Sequence, residues 1–482
     1  VTRNPGSASP TIEQQQEQLL QELQPWIYRS DSEVDALPFN DPTSPQSLAL
    51  EWLLNDTIAL SENGVTTKVL ERYALAVFYY STDGPNWNVD VNFLSESDTC
   101  SWNDGLIRQD EDDQGYVIGF RCQQPLILLQ FTQGGLKGTL PWELSLLSDL
   151  YFLRLDRNSL FGSIPTELAR LSVLNNLNLA NNSLTGTLPT VLGELTALGQ
   201  FSMSGNNFGG TIPTEFGRWT KITLIALDQN HLTGTIPSEL GILTDMEAFF
   251  VSENNLMGSL PREIGQWTNI RGFFASDNGL TGTLPTELGQ LSALETFEMD
   301  TNLLTGTVPT EMGSLTALTW LDLNNNALTG SLPTELGQLT VLERLFASNN
   351  LLTGPLPTEI GKLTSLRDLG LDGNFFTGTL PTEIEACTSL QSLFIGQNNL
   401  TGTLPTELGL LSALEVLDVS ENLLNGTLPT ELGGLTALSL VAMYTNFLTG
   451  TLPTELGMFT DVQEFNAFNN GLSGTLPTEL RH

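Results

Sequence analysis

A repeat of 24 residues constrains this sequence more than any other feature. Proline recurs at that interval from Pro141 to Pro477, fifteen times without an insertion, and asparagine fourteen times from Asn158 to Asn470. With a third column of glycines in the same register, the unit reads LxxLxLxxNxLxGxLPxELGxL. A unit of this length cannot bury its apolar face alone. The copies must therefore stack into a solenoid that shares one continuous core.

Each column of the repeat has a predicted structural role. In LYFLRLDRN, residues 150–158, the side chains of Leu150, Leu153 and Leu155 are predicted to point inward from a short strand. The asparagine amide is expected to hydrogen-bond backbone groups of its own turn and of the next coil. Proline is expected to start a short helical turn, where a missing N–H costs little, and the acid after it suits the N-terminus of that turn.

Charge excludes several classes of partner. The 482 residues carry a net charge of −37, which argues against nucleic acid and against an anionic membrane surface. No run of 18 apolar residues occurs, so we expect no membrane span within the chain. The repeat stops in mid-unit at His482, so we expect the C-terminal cap to be missing here and the natural product to continue, with room for a membrane span after residue 482.

No catalytic, cofactor or metal site is predicted. Only two histidines occur, His231 and His482, and no nucleophile motif, phosphate loop, zinc spacing or calcium loop is present. Cys387 occupies a column otherwise filled by leucine and is predicted to be a buried free thiol. The acid that recurs once per repeat is interpreted as a solvated side chain at each turn, because single surface carboxylates bind divalent ions poorly. We therefore expect no enzyme, no cofactor and no bound metal.

The repeat unit resembles the plant-type leucine-rich repeat, whose LxGxIP segment forms a second sheet on the flank. ERYALAVFYYSTDGPNWN (71–88) and DTCSWNDG (98–105) resemble the N-terminal cap of that family, including its algal and diatom-type members. The resemblance implies an α/β fold: a right-handed solenoid with a parallel sheet on the concave face, short helical turns on the convex face and a helical, disulfide-linked cap. The expected domains are a tail with a possible helix (1–45), the cap (46–125) and a solenoid of about 15 repeats (126–482).

The same resemblance implies an extracellular protein. Cys100 and Cys122 are expected to form the disulfide of the cap, across the acidic insertion DEDD at 110–113. A disulfide requires an oxidising compartment. Four N-x-S/T sequences agree with secretion, and the expected glycosylation sites are Asn55, Asn181, Asn399 and Asn425.

Aromatic and acidic residues on the predicted concave face form the candidate ligand site. In the strand segment LxxLxLxxN, the third, fifth, seventh and eighth residues should face outward. Exposed aromatic residues beside acids are typical of recognition surfaces, although scattered exposed aromatics also occur without function. The candidate residues are Phe250, Phe274, Glu298, Trp320, Asp322, Phe346, Asp368 and Phe394, with Tyr444 and Phe468 further along.

The expected function is recognition at the cell surface. The resemblance implies the ectodomain of a receptor-like or adhesion protein that binds an extracellular peptide, protein or glycan, with a possible co-receptor. An acidic site favours a basic ligand. The alternatives are a secreted structural, cell-wall or ice-binding protein, since TGT triplets place threonines along one flank, or an inhibitor of a wall-degrading enzyme. Threonine also simply suits an exposed strand.

Overall fold

The computed structural model describes residues 11–27, 41–62, 64–89, 92–102, 107–109, 115–117, 119–122, 126–475 and 478. The predicted tail is therefore described only at 11–27 and from 41 onward, and the acidic insertion at 110–113 and the terminal His482 lie outside the described residues. Backbone contacts divide the chain into two compact units, 1–222 and 223–482, and each is described by itself.

The first unit begins with four helices: Ile12–Ile27 (α1), Pro45–Leu54 (α2), Thr57–Ser61 (α3) and Thr67–Ser81 (α4). The side chains of Ser44, Asp56 and Thr66 accept hydrogen bonds from the first free N–H groups of the last three helices, which fixes where those helices start. The helix α1, which the sequence assigned only as possible, buries Leu19 and Leu23 against the other three. The helical bundle and the first coils thus share a compact unit.

A buried ion pair holds the centre of this cap. Arg72 donates from Nη2 to Asp56 Oδ1 at 2.9 Å and from Nη1 to the carbonyl of Ser97 at 3.0 Å. Its guanidinium lies against two indole rings that contact each other, 5.2 Å from the centroid of Trp52 and 4.7 Å from that of Trp102. These contacts compensate the charge that the cap buries.

Short turns and antiparallel strands complete the cap. The turns are Gly84–Asn86 and Thr99–Ser101. Ile107–Gln109 pairs with Gly115–Val117, and Gly119–Cys122 pairs with Leu126–Gln130, both antiparallel. The side chain of Cys122 lies outside the described residues, so the disulfide with Cys100 stays a prediction.

The rest of the first unit consists of coils, each with an inner strand, a lateral strand and a 3-10 turn. The inner strands are Leu126–Gln130, Phe152–Arg154, Asn176–Asn178 and Gln200–Ser202. The lateral strands are Lys137–Thr139, Ser159–Gly162, Ser183–Thr187 and Asn207–Gly209. The turns are Trp142–Leu146, Thr166–Arg170, Thr190–Glu194 and Thr214–Arg218. Neighbouring strands within each set are parallel and in register.

The second unit repeats the same coil. Its inner strands are Leu224–Ala226, Ala248–Phe250, Gly272–Phe274, Thr296–Glu298, Trp320–Asp322, Arg344–Phe346, Asp368–Gly370, Ser392–Phe394, Val416–Asp418, Leu440–Ala442 and Glu464–Asn466. Its lateral strands are Thr233–Gly234, Asn255–Gly258, Gly279–Leu280, Thr305–Gly306, Ala327–Gly330, Leu351–Pro355, Phe375–Thr377, Thr401–Gly402, Leu423–Thr427, Phe447–Thr451 and Gly471–Ser473. Its turns are Ser238–Ile242, Arg262–Gln266, Thr286–Gln290, Thr310–Ser314, Thr334–Gln338, Thr358–Lys362, Thr382–Ala386, Thr406–Leu410, Thr430–Gly434 and Thr454–Met458.

The columns of the repeat take the positions that the sequence predicts. In one coil, Leu318 and Leu321 are fully buried, and the turn starts directly after Pro309, whose backbone is extended. Asn326 donates from Nδ2 to the carbonyl of Met299 in the preceding coil at 2.9 Å, and its Oδ1 accepts from the N–H of Leu304 at 3.0 Å. The asparagine ladder therefore pairs backbone groups that would otherwise be buried without partners.

Both units confirm the predicted α/β solenoid, with a parallel inner sheet and short helical turns. Parallel strands joined by such crossovers give the right-handed coil. Among the helices of the described ranges, none combines the length and the apolar character needed to cross a bilayer.

Candidate functional site

The inner-sheet face, defined as the outward side of the inner strands of the second unit, is the candidate site. In most of these strands the middle residue is buried and the first and third are half-buried, as in Ala248–Phe250. Because neighbouring inner strands pair in register, the third residues of successive strands form one column along the sheet, and the first residues form another. All eight residues of the predicted ligand site lie in these two columns, and all eight are half-buried. The structure thus brings them onto one face, and their role in binding stays a prediction.

Two phenylalanines on adjacent strands form a stack. The rings of Phe250 and Phe274 are 3° from parallel, with centroids 4.6 Å apart, which matches the spacing of paired strands. A Cβ at position 272 would lie 2.5 Å from Cε2 of Phe274, so this ring lies across Gly272. The sequence identified the two aromatic residues but missed the glycine that gives the second ring its place.

Three carboxylates follow the stack along the same face. Phe274 pairs with Glu298, and Glu298 pairs with Asp322. Asp300, two residues further along the chain and on the same side as Glu298, accepts a short hydrogen bond from the hydroxyl of Ser276. Within the described part of the chain, none of these three acids forms an ion pair with Lys or Arg.

Burial and mutual repulsion raise the pKa values of two of these acids, Asp322 and Glu298. Burial raises the pKa of Asp322 to about 6, and the charge of Asp300 adds to this, while the backbone N–H of Asn324, at 3.0 Å, acts in the opposite direction. The pKa of Glu298 is also raised, first by burial and then by the charges of Asp300 and Asp322. The three carboxylates therefore present negative charge that the described side chains do not neutralise.

A cation already occupies the neighbouring column. The guanidinium of Arg344 lies 4.4 Å from the ring centroid of Trp320 and pairs with Asp368, whose Oδ2 is 3.3 Å from Nε. Asp368 is therefore neutralised within the protein, unlike Glu298 and Asp322. Trp320 and Asp368 are among the residues predicted from the sequence and Arg344 is not, although the in-register pairing of the repeat places Arg344 between them.

Phe346 and Phe394 lie on either side of Gly370 in the column of third residues. A Cβ at position 370 would lie 2.7 Å from Cδ1 of Phe346, so the ring leans over the glycine. The two phenylalanines thus flank a buried glycine, and both rings are half-buried.

A second aromatic stack lies further along the inner-sheet face. The rings of Tyr444 and Phe468 are 4° from parallel with centroids 4.7 Å apart, and Phe468 is 57% exposed. Two more acids precede it: Asp372 accepts from the Ser348 hydroxyl at 2.5 Å, and Asp418 accepts from the Ser420 hydroxyl at 2.6 Å. The first stack, Phe250–Phe274, and the second stack, Tyr444–Phe468, therefore bracket an acidic stretch.

The threonines of the lateral strands have structural roles. Thr305 donates from Oγ1 to the carbonyl of Gly282 at 3.1 Å, and other threonines of this column make the same bond. The methyl group of Thr283 fills the space above Gly306, where an added Cβ would approach it to 2.6 Å. The TGT triplets are thus explained by the stacking of the coils, as expected for an exposed strand.

Three other kinds of candidate group come from the sequence: the thiol of Cys387, possible metal ligands and the glycosylation sites. Cys387 is fully buried, burial raises its pKa to about 11, and its Sγ donates to the carbonyl of Ile360 at 3.3 Å. Within the described ranges, no group of three or more His, Cys, Asp and Glu side chains could hold a metal ion. The four predicted glycosylation sites, Asn55, Asn181, Asn399 and Asn425, are all exposed.

The fold and the face define a leucine-rich-repeat solenoid, and comparison with known proteins agrees. The Leucine Rich Repeat family model matches residues 173–195, 317–339, 341–363, 389–411 and 413–435. A leucine-rich-repeat protein from Leptospira interrogans is 30% identical, with a TM-score of 0.57, over 72% of this chain and 90% of that one. The chain therefore belongs to the leucine-rich-repeat family.

Solved plant receptors are similar in sequence and fold. A TDR receptor is 30% identical, with a TM-score of 0.70, over 74% of this chain and 66% of that one. The plant peptide hormone receptor RGFR1, solved in complex with RGF2, is 31% identical, with a TM-score of 0.61, over 74% of this chain and 65% of that one. The chain thus spans about two thirds of the length of these receptor structures. No curated protein sequence matches it.

Proposed function

We propose that this chain is a ligand-recognition ectodomain that acts outside the cell and binds its ligand on the inner-sheet face. The ligand class comprises an extracellular peptide, protein or glycan. The receptor-like or adhesion role includes a co-receptor as a possible further partner.

Similarity and composition support this proposal. One of the similar structures is a plant peptide hormone receptor bound to RGF2. The exposed glycosylation motifs agree with a secreted or cell-surface location. The net charge of −37 disfavours nucleic acid as a partner.

The observation that carries the proposal is the first stack and the acids beside it. Burial of the outer faces of Phe250 and Phe274 by a ligand would remove apolar surface from water, since both rings are only half-buried. The carboxylates on the next two strands have no counter-charge among the described side chains, so they would orient a ligand and select it by its charge. Aromatic anchors beside polar groups are the usual composition of binding hot spots.

Arrays of secreted peptides, extracellular proteins and glycans, probed with the whole chain, test this proposal. Ligands that bind would be measured again with the double variant Phe250→Ala/Phe274→Ala. Removal of two aromatic anchors should weaken binding at least tenfold. Phe375→Ala is the matched control, because Phe375 is a 50% exposed phenylalanine on a lateral strand.

Two outcomes contradict the proposal. One is a ligand whose affinity is the same for the double variant and the wild type, because the inner-sheet face would then not be the site. The other is a ligand that loses affinity with Phe375→Ala alone, which would place recognition on the lateral strands.

A further inference from the structure

The two aromatic stacks are separated by a defined number of strands. Seven strand-to-strand pairings lead from the strand of Phe274 to the strand that precedes Tyr444. At about 4.8 Å per pairing, the stacks are about 34 Å apart. An extended chain advances about 3.3 Å per residue, so about ten residues would join them.

Five acids between the two stacks have no counter-charge among the described side chains. Glu298, Asp300, Asp322, Asp372 and Asp418 lie on this stretch of the inner-sheet face, and within the described ranges none has a Lys or Arg partner. Those that bond do so with neutral donors, such as Ser348 and Ser420. By contrast, every arginine in or beside the same columns is already paired: Arg271 with Glu295, Arg344 with Asp368 and Arg367 with Glu343.

We propose that the ligand is an extended basic peptide that places one apolar or aromatic residue on each stack, about ten residues apart, with Lys or Arg side chains between them on the unpaired acids. This inference rests on the proposed function, because it names the ligand of the same face. It goes further in three respects: the class of ligand, its conformation and its minimum length.

Charge complementarity decides between the candidate ligand classes. A neutral glycan could lie on the aromatic rings, but it would leave the carboxylates buried beneath it without counter-charge, at a cost in desolvation. A basic side chain removes that cost and the mutual repulsion of Glu298, Asp300 and Asp322 together. An acidic peptide would be repelled by all of them.

Geometry favours an extended chain. The columns of the inner-sheet face repeat at the strand spacing, so suitable groups recur along the coil axis at regular intervals. A short glycan or other small ligand could contact only one stack, whereas an extended peptide reaches both. Once a peptide is bound to one stack, its contact with the other stack is intramolecular, so the second contact strengthens the affinity of the whole peptide.

The experiment is a selection of peptides from a random 14-residue display library on the whole wild-type chain. The expected sequences carry two apolar or aromatic residues about ten positions apart with Lys or Arg between them. One selected peptide, synthesised, would be titrated calorimetrically against Phe250→Ala/Phe274→Ala, Tyr444→Ala/Phe468→Ala and Glu298→Gln/Asp322→Asn. Each double variant should weaken binding at least tenfold, and Phe375→Ala should not.

A shortened peptide provides the sharpest control. Deletion of four residues between the two anchors reduces the maximum reach by about 13 Å, so the peptide can no longer contact both stacks. Its affinity should fall to that of the full peptide for Tyr444→Ala/Phe468→Ala, and this second-stack variant should bind both peptides equally.

The outcomes separate the inference from the proposed function. If the selected sequences are neutral or acidic and still require Phe250 and Phe274, the inference that the ligand is basic is wrong. The proposed function is unaffected by that result. Binding that requires the first stack alone, at any peptide length, overturns the two-anchor arrangement. Failure to select any peptide overturns the peptide class, and the array experiment then tests the face independently.

Discussion

Asn254 and Leu227 are 27 residues apart in the chain, yet Nδ2 of Asn254 donates to the carbonyl of Leu227 at 3.0 Å. The same amide group donates to the carbonyls of Val251 and Ser252, and Oδ1 accepts from the N–H of Leu232 at 2.9 Å. One side chain therefore pairs backbone groups of two consecutive coils.

Asn254→Ala should lower the free energy of unfolding by about 3 kcal/mol, because several buried backbone groups lose their partners at about 1–3 kcal/mol each. Thermal unfolding followed by circular dichroism measures the change. Asn255→Ala, at the adjacent exposed position, is the matched control and should change stability little. Equal effects of the two substitutions would show that the ladder does not stabilise the coil.

Arg72→Met should destabilise the cap strongly, because it leaves the carboxylate of Asp56 buried without a counter-charge. Breaking one side of a buried pair costs about 3–5 kcal/mol. The double variant Asp56→Ser/Arg72→Met should regain part of that loss, since no buried charge remains and serine still caps the helix α3. Denaturant unfolding of the three proteins tests this, and a double variant no more stable than the single one would contradict it.

Asp322→Asn should stabilise the protein at neutral pH and not at acidic pH. The pKa of Asp322 in the folded protein, about 6, lies above its ordinary value of 3.8. Protonation therefore favours folding, and this contribution, fully present below about pH 4, is lost as the pH rises through about 6. Asparagine resembles the protonated acid at every pH.

The expected gain at pH 7.5 is about 1 kcal/mol after allowance for solvent screening, and no gain is expected at pH 4. Calorimetric melting temperatures at the two pH values provide the measurement. Asp245→Asn, which removes one carboxylate at an exposed turn outside the inner-sheet face, is the matched control. A stabilisation by Asp322→Asn that is equal at both pH values would rule out the charge as its cause.

Thr445→Asn should stabilise the coil that carries the second stack. Thr445 has a φ of +53°, a left-handed conformation that a β-branched residue adopts at a cost, and the equivalent residues Asn325, Asn349 and Asn469 show what suits this position. The expected gain is about 0.5–1 kcal/mol, read from the melting temperature. Thr445→Val, which keeps the strain, should show no gain.

The architecture could be predicted because every coil repeats the same local rules. The interval between Pro309 and Pro333 specifies the turn. Asn326, which lies between them, specifies the ladder, so one coil predicts the next. The buried leucines, the parallel strands and the placement of Phe250 and Phe274 on one face all follow from this periodicity.

Details of the candidate site were less predictable because they depend on side chains in adjacent coils. Gly370 looks like ordinary variation in the repeat, yet it provides room for the ring of Phe346 in the adjacent coil, as Gly272 does for the ring of Phe274 in its own strand. Arg344 forms an ion pair with Asp368 and none with Asp322. The difference depends on which column each residue occupies. Position in the repeat identifies the column, whereas the direction of a flexible side chain within it requires the structure.

The in-register pairing of the inner strands has an evolutionary consequence. Duplication or loss of one whole 24-residue unit between the two stacks would move them apart or together by one strand spacing, about 4.8 Å. Each remaining coil would keep its own ladder, core and turn, so the change would require no redesign of the fold. A gene encoding such a chain can therefore alter the length of the ligand that it accommodates in discrete steps, while point substitutions alter its chemistry independently.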